Sequence, residues 1–226
     1  MKKRWAGNLF TVRDAKQMDE RAKEYLHRLE KLGEVERVRW GWYYIPEKQR
    51  NVWDFLAKDK GFKVVIKQTA ASIWNYDFVH RNMYRLAVED RSYKKALESF
   101  GRERGWTFEV EYYDKVPYSY GEIDGLLVET PESCLVNCMA DWAFLDAFAI
   151  LYFRKDDISF DSIRELARWK RITRTDTRVW SAIKYGCSLF NTRLGEKVFD
   201  VKRASLRQGD IKELVEEAVE KVMEFA

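Results

Sequence analysis

Cysteine, histidine and proline are scarce in this chain of 226 residues, and each scarcity excludes a class of protein. Three cysteines cannot build the disulfide framework of a small secreted domain. Two histidines, neither at ligand spacing from a cysteine, provide no zinc motif, so no metal site is expected. Three prolines exclude a proline-rich stalk. Cys134 and Cys138, one helical turn apart, are predicted to be small buried residues.

Long hydrophobic runs are also absent. No run of about 18 apolar residues occurs, which predicts that no segment spans a membrane. The basic first residues are not followed by an apolar stretch, so we expect no signal peptide and a cytoplasmic protein. Hydrophobic residues make up 46% of the chain and charged residues 35%, a composition typical of a folded globular protein.

The positive charge is concentrated at one end of the chain. The formal net charge of the whole chain is +4. Residues 1–50 contain 13 Lys and Arg and 8 Asp and Glu, a net charge of +5, so the remainder is slightly acidic. This asymmetry predicts an anionic partner for the N-terminal segment.

Residues 9–46 carry the most informative pattern. Thr11 is predicted to cap a short helix, and Asp19 is predicted to cap a second helix that Gly33 ends. The second helix would bury a stripe of small and aliphatic residues, and its charged side chains would lie outside that stripe. The apolar stripe consists of Ala22, Leu26 and Leu29. The polar and charged residues include Glu20, Lys23, Glu24, His27, Arg28 and Lys31.

A β-hairpin is predicted directly after this helix, with a two-residue turn at Trp40 and Gly41. The predicted register pairs Arg39 with Trp42 and Arg37 with Tyr44 on one face, which would be basic and aromatic. It pairs Val38 with Tyr43 and Glu36 with Ile45 on the other face, which would be mostly apolar. We expect the apolar face to pack on the helices and the basic face to meet a phosphate backbone.

Helix, turn, helix and basic hairpin are the elements of a winged helix-turn-helix. A helix fits the major groove of B-DNA, and Lys and Arg side chains neutralise phosphates and release counterions. Double-stranded DNA is therefore the predicted partner, with a protein-interaction module as the alternative. Helix capping alone would also explain Thr11, and a plain surface histidine would explain His27. The candidate DNA-binding residues are Thr11, Arg21, Lys23, His27, Arg28, Lys31, Arg37, Arg39 and Trp42.

The rest of the chain predicts a mixed α/β domain with a helical C-terminal part, so the fold class is α/β (α+β). The predicted domains are residues 1–50 and 61–226. The segment 141–153 is apolar nearly all round, which predicts a central helix or one buried in a homodimer or partner interface. Strands are predicted at 62–66, 84–89, 106–113 and 123–129, and helices at 47–59, 70–79, 92–104, 131–153, 159–169, 175–190 and 210–225.

The chain resembles the AbiEi family, the antitoxin components of type IV toxin–antitoxin systems. The resemblance implies an N-terminal winged helix and a larger C-terminal antitoxin domain. It also implies a protein that represses its own promoter and restrains a nucleotidyltransferase toxin. The residues that carry the resemblance are 9–15, 26–38, 41–46, 125–136, 166–167 and 184–190.

No enzyme motif is present in the sequence. The chain lacks GxGxxG, GxxxxGK[ST], HExxH and GxSxG, and it lacks the paired aspartates of a nucleotidyltransferase. We therefore expect no catalysis and no cofactor. The alternative enzyme is a Mg²⁺-dependent nuclease built on Glu122, Asp124, Glu129 and Glu132, although no lysine stands where a restriction-type nuclease requires one.

Overall fold

The computed structural model describes residues 5–47, 51–58, 62–76, 83–117, 119–172, 178–201, 204–206 and 209–225. The chain forms two compact units. Unit 1 comprises residues 1–67 and 82–128, and unit 2 comprises residues 68–81 and 129–226. These limits differ from the predicted domains, because unit 1 combines the N-terminal segment with the sheet that follows it. The mixture of helices and sheets confirms the predicted α/β class.

The N-terminal part of unit 1 is a three-stranded sheet with a pair of helices. Strand β3 lies between β1 and β2 and is antiparallel to both. A short helix and a longer helix follow β1, and a hairpin returns the chain to the sheet. The elements are β1 (Leu9–Thr11), α1 (Val12–Lys16), α2 (Ala22–Lys31), β2 (Glu36–Arg39) and β3 (Trp42–Tyr44).

A five-stranded sheet completes unit 1, in the order β6-β5-β4-β8-β7. It is mixed: β4 runs parallel to β8 and antiparallel to β5, and β5 runs parallel to β6. Helix α5 packs on β5 and β6 and also contacts β2. The elements are α3 (Val52–Lys58), β4 (Val64–Ile66), β5 (Met83–Val88), α5 (Arg91–Glu103), β6 (Thr107–Tyr112), β7 (Tyr120–Ile123) and β8 (Leu126–Glu129).

The predicted single strand at 123–129 is wrong. The segment is a hairpin in which Asp124 and Gly125 form the turn between β7 and β8, with φ of 51° and 82°. An Asp-Gly pair between two strands favours a two-residue turn that needs positive φ at both positions. The turn signal therefore outweighs the continuity of the apolar pattern.

Both faces of the N-terminal sheet are buried. Phe10 and Tyr43 belong to the cluster that packs on α1 and α2. Trp42 faces the opposite side, where its ring centroid lies 5.4 Å from that of Tyr93 on α5. Tyr44 packs in the same way on Phe100, at 4.6 Å. The strand Trp42–Tyr44 thus contributes aromatic rings to two layers of core at once.

Unit 2 is helical. Its most apolar helix, α7, is buried nearly all round within a single chain, so the prediction of a central core helix is confirmed. The predicted continuous helix 131–153 is wrong, because Trp142 has a φ of 63° and separates α6 from α7. The elements are a 3-10 turn (Gln68–Ala70), α4 (Ala71–Trp74), α6 (Pro131–Ala140), α7 (Phe144–Phe153), α8 (Phe160–Ile172), α9 (Arg178–Leu194) and α10 (Gly209–Phe225).

The three cysteines are free and buried, as predicted for Cys134 and Cys138. Burial raises the pKa of the Cys134 and Cys187 thiols above the ordinary value, which favours the unreactive neutral form. Among the described residues, no helix is both long and apolar enough to cross a membrane.

Candidate nucleic-acid interface

Helix α2 is amphipathic, and the structure confirms that the predicted apolar stripe of this helix is buried. Ala22, Leu26 and Leu29 are buried in the core that Phe10 and Tyr43 also enter. Gly33, with a φ of 70°, ends the helix in the left-handed conformation that residues with a side chain rarely adopt. The candidate residues of this helix are all on its exposed side: Arg21, Lys23, His27, Arg28 and Lys31.

Two carboxylates share the exposed side of α2 with these cations. Glu20 and Glu24 are both exposed, so four cations and two anions face solvent along this segment. His27 lies near a third carboxylate, with Nδ1 3.8 Å from Glu30 Oε2. The exposed side of α2 therefore carries only a small net positive charge. A polyanion would contact it best through the Arg and Lys side chains of the helix.

Thr11 begins helix α1 through a capping box. Its hydroxyl donates to Asp14 Oδ2 over 2.6 Å, and its oxygen accepts from the Asp14 backbone N–H over 3.2 Å. The Thr11 backbone N–H donates to the same carboxylate over 2.7 Å. Helix capping thus explains the presence of Thr11 at this position, which was the alternative to a phosphate contact.

The register of the hairpin differs from the prediction in one strand. Arg39 pairs with Trp42 as predicted, but Arg37 pairs with Tyr43, and Glu36 pairs with Tyr44. A bulge at Val38, whose side chain is buried, shifts the register between Arg37 and Arg39. Because one inserted residue moves every following side chain to the other face, the two arginines no longer share a face.

The prediction that Trp42 lies on an open basic face is wrong. Its side chain is only 4% exposed and packs on Phe62 as well as on Tyr93, with centroid distances of 5.1 and 5.4 Å. Burial against α5 therefore leaves Trp42 mainly a core residue.

The tip of the hairpin is the most exposed aromatic position in the described chain. Trp40 is 86% exposed, and Gly41 has a φ of 81°, as the predicted two-residue turn requires. Arg37 is exposed and Arg39 is half-buried. Sequence reasoning assigned Trp40 to the turn but not to the site. Its position at a turn, where no core layer can cover both ring faces, is the signal that could have identified it.

A cationic cleft lies beside this tip, within unit 1. It has a volume of about 580 Å³. The start of α1, the hairpin tip and the first turns of α5 form its walls. Among the residues that the structure describes, four cationic side chains and no carboxylate line the cleft: Arg13, Arg39, Arg91 and Lys95. Of these, only Arg39 was predicted, because the others come from a neighbouring helix and from a helix about fifty residues further along the chain.

The four acidic residues of the nuclease alternative do not form one site in the structure. Glu129 is fully buried, and its Oε1 accepts hydrogen bonds from the Ser133 hydroxyl, over 2.7 Å, and from the Asn137 amide. Glu132 accepts from the Ser159 backbone N–H over 3.0 Å. Asp124 lies in a turn, so it does not share a strand face with Glu122. Within the described ranges, no three His, Cys, Asp or Glu side chains are grouped to hold a metal ion.

Comparison of the chain with protein-family models, with curated proteins and with solved structures finds no match.

Proposed function

We propose that this protein is a DNA-binding transcriptional regulator whose N-terminal segment is a winged helix-turn-helix. The observation that carries the proposal is the exposed side of α2, on which Arg and Lys outnumber the carboxylates, held on a small sheet by an apolar inner side. A helix of this kind fits the major groove, and its Arg and Lys side chains reach phosphates on either side.

The order of the elements supports this proposal. A strand, two helices and a hairpin follow one another, and the hairpin strand β3 pairs with the strand before the helices. This pairing, together with the hydrogen bond from the Val12 backbone N–H to the Gly41 carbonyl, fixes the hairpin tip beside the start of α1. The exposed Trp40 and Arg37 give the hairpin a tip and an edge that can reach a duplex.

The resemblance to AbiEi antitoxins suggests the biological setting. In that setting the protein would repress its own promoter, and the other part of the chain would restrain a nucleotidyltransferase toxin. Unit 2 would then be the toxin-binding part, because the helix face and the hairpin both belong to unit 1. Co-expression with the product of an adjacent gene, followed by size-exclusion chromatography, tests this part of the proposal separately.

The DNA-binding proposal is tested by fluorescence anisotropy with a labelled duplex from upstream of the gene. The wild-type protein should bind it, and log Kobs should fall linearly as log salt rises. The variant Arg28→Ala/Lys31→Ala should bind about tenfold more weakly, because two phosphate contacts are lost. Absence of wild-type binding, or binding insensitive to salt, would refute the proposal.

A control variant of matched charge separates local contacts from loss of net charge. Arg102 on α5 and Arg168 on α8 are both exposed and lie outside the proposed interface. Arg102→Ala/Arg168→Ala lowers the net charge by two, as the α2 variant does. It should leave the affinity for the duplex nearly unchanged. Equal losses in the two variants would mean that α2 makes no specific contact.

A further inference from the structure

The cleft beside the hairpin tip joins residues that lie far apart in the sequence. The Val12 backbone N–H donates to the Gly41 carbonyl over 3.2 Å, which fixes the start of α1 against the tip. Packing of Trp42 on Tyr93 fixes the same hairpin against α5. The walls of the cleft are thus held by backbone and core contacts within unit 1.

The α5 wall presents two cations in the same direction. Arg91 and Lys95 are four residues apart on one helix, so their side chains lie on the same exposed side. The opposite side of α5 is buried through Tyr93, Ala96 and Phe100. Arg91 is held over the Tyr112 ring, with its guanidinium carbon 5.0 Å from the ring centroid.

The carboxylates nearest in the chain do not line the cleft. Asp14 is bound to Thr11 in the capping box. Asp90 caps α5, accepting from the Tyr93 backbone N–H over 2.8 Å and from the Ser92 hydroxyl over 2.7 Å. The four cations that line the cleft repel one another, and binding of an anion relieves that repulsion.

We propose that this cleft binds phosphate groups of the DNA backbone, so that Arg13, Arg91 and Lys95 extend the interface beyond α2 and the hairpin. This inference rests on the proposed DNA-binding function. The cleft is open to solvent and continuous with the exposed ring of Trp40, which suits a continuous backbone better than an enclosed small molecule. Trp40 provides an apolar surface for a sugar or a base next to the bound phosphate.

The test uses the full-length protein and the same upstream duplex, with anisotropy titrations from about 50 to about 300 mM KCl. Arg91→Ala/Lys95→Ala should lower the magnitude of the salt slope by about 1–2 and weaken binding about tenfold. Trp40→Ala should weaken binding without changing the slope, because the indole is neutral. Both variants change exposed side chains, and circular dichroism melting checks that they fold as the wild type does.

The matched control removes two cations from the same helix but outside the cleft, as Lys94→Ala/Arg102→Ala. If the cleft variant and this control have equal salt slopes and affinities while the wild type binds DNA, the cleft inference is wrong and the proposed function stands. If the wild type binds no duplex, the proposed function itself is wrong.

A free nucleotide presents the same phosphate chemistry, so adenosine monophosphate is titrated as a separate arm. If the wild type binds the nucleotide and the cleft variant does not, while duplex affinity is the same in both, the backbone assignment is overturned. If the nucleotide competes with the duplex only weakly, at millimolar concentration, the backbone assignment is supported.

Discussion

Arg104 forms an ion pair with Glu36, and this pair joins the end of α5 to the first strand of the hairpin. Its Nη2 donates to Glu36 Oε2 over 2.6 Å. The guanidinium carbon also lies 3.7 Å from the ring centroid of Phe100 and 4.8 Å from that of Tyr44. One face of the hairpin is therefore anchored to α5, at the end of the hairpin away from its tip.

This anchor predicts a loss of stability on replacement of the arginine. Arg104→Ala should lower the free energy of unfolding by about 1–2 kcal/mol, because a charge-assisted hydrogen bond and two ring contacts are lost. Glu36→Gln should cost less, since it keeps an acceptor and both ring contacts. Urea denaturation measures both values. Equal losses in the two variants would show that stacking on Phe100 and Tyr44 contributes nothing.

The hairpin arginines should matter for DNA and not for folding. Arg37 is exposed and Arg39 is half-buried beside the cleft. Arg37→Ala/Arg39→Ala should weaken duplex binding about tenfold and leave the melting temperature nearly unchanged. The control Arg102→Ala/Arg168→Ala provides the comparison. Unaltered affinity in the hairpin variant would exclude the hairpin arginines from the interface.

A carboxylate in unit 1 should make the protein sensitive to acid. Glu89 Oε1 accepts from Lys63 Nζ over 2.7 Å and from the Val116 backbone N–H over 2.9 Å. The hydrogen bond from Lys63, followed by that from Val116, lowers the pKa of Glu89 below its ordinary value. The stabilisation is therefore complete above the unfolded pKa of about 4.3, and is lost as the pH falls through the folded pKa.

Glu89→Gln isolates this contribution, because glutamine keeps an acceptor for Val116 but cannot ionise. Urea denaturation between about pH 3 and about pH 7 should show a difference between wild type and variant that is constant near neutrality and disappears in acid. A difference that persists unchanged at the acid end would show that the carboxylate charge is not its source.

Close packing in unit 2 predicts that one glycine cannot be replaced. A Cβ added at Gly186 on α9 would overlap Cε1 of Phe148, whose ring is buried on α7. Gly186→Ala should therefore destabilise unit 2 by about 1–3 kcal/mol, despite the better helix propensity of alanine. Thermal unfolding followed by circular dichroism measures the effect.

Two further variants identify the cause of this loss. Gly209→Ala at the start of α10 meets no neighbouring atom and should change stability little. Adding Phe148→Leu to Gly186→Ala should recover part of the lost stability, because the shortened side chain relieves the contact. Strict additivity of the two losses would exclude a clash between the residues.

Local signals predicted much of unit 1 correctly. The stripe of Ala22, Leu26 and Leu29 has a helical period and is buried in the structure. Gly41 indicated the hairpin turn, and the helix predicted at 92–104 matches α5 (Arg91–Glu103), although its capping by Asp90 was not predicted. These features depend on residues within about four positions of each other, so one stretch of sequence contains all the information.

Local signals could not predict which hairpin side chains face the core and which face solvent. Strand β3 reads Trp-Tyr-Tyr, so an alternating pattern that would distinguish a core face from a solvent face is missing. The bulge at Val38 then reverses the positions of Glu36 and Arg37. The helix break at Trp142 was missed for a similar reason, because a tryptophan at positive φ has no local sequence signal.

The amino-acid sequence by itself determined the class of the fold, the amphipathic helices, the hairpin turn and the concentration of positive charge near the N-terminus. Only the tertiary structure decided that Trp42 is core, that Trp40 is exposed, and that Arg91 and Lys95 stand beside Arg13 and Arg39. The reason is physical: periodicity and turn preference act between near neighbours in the chain. A binding cleft, in contrast, is formed by packing between segments that the sequence separates by tens of residues.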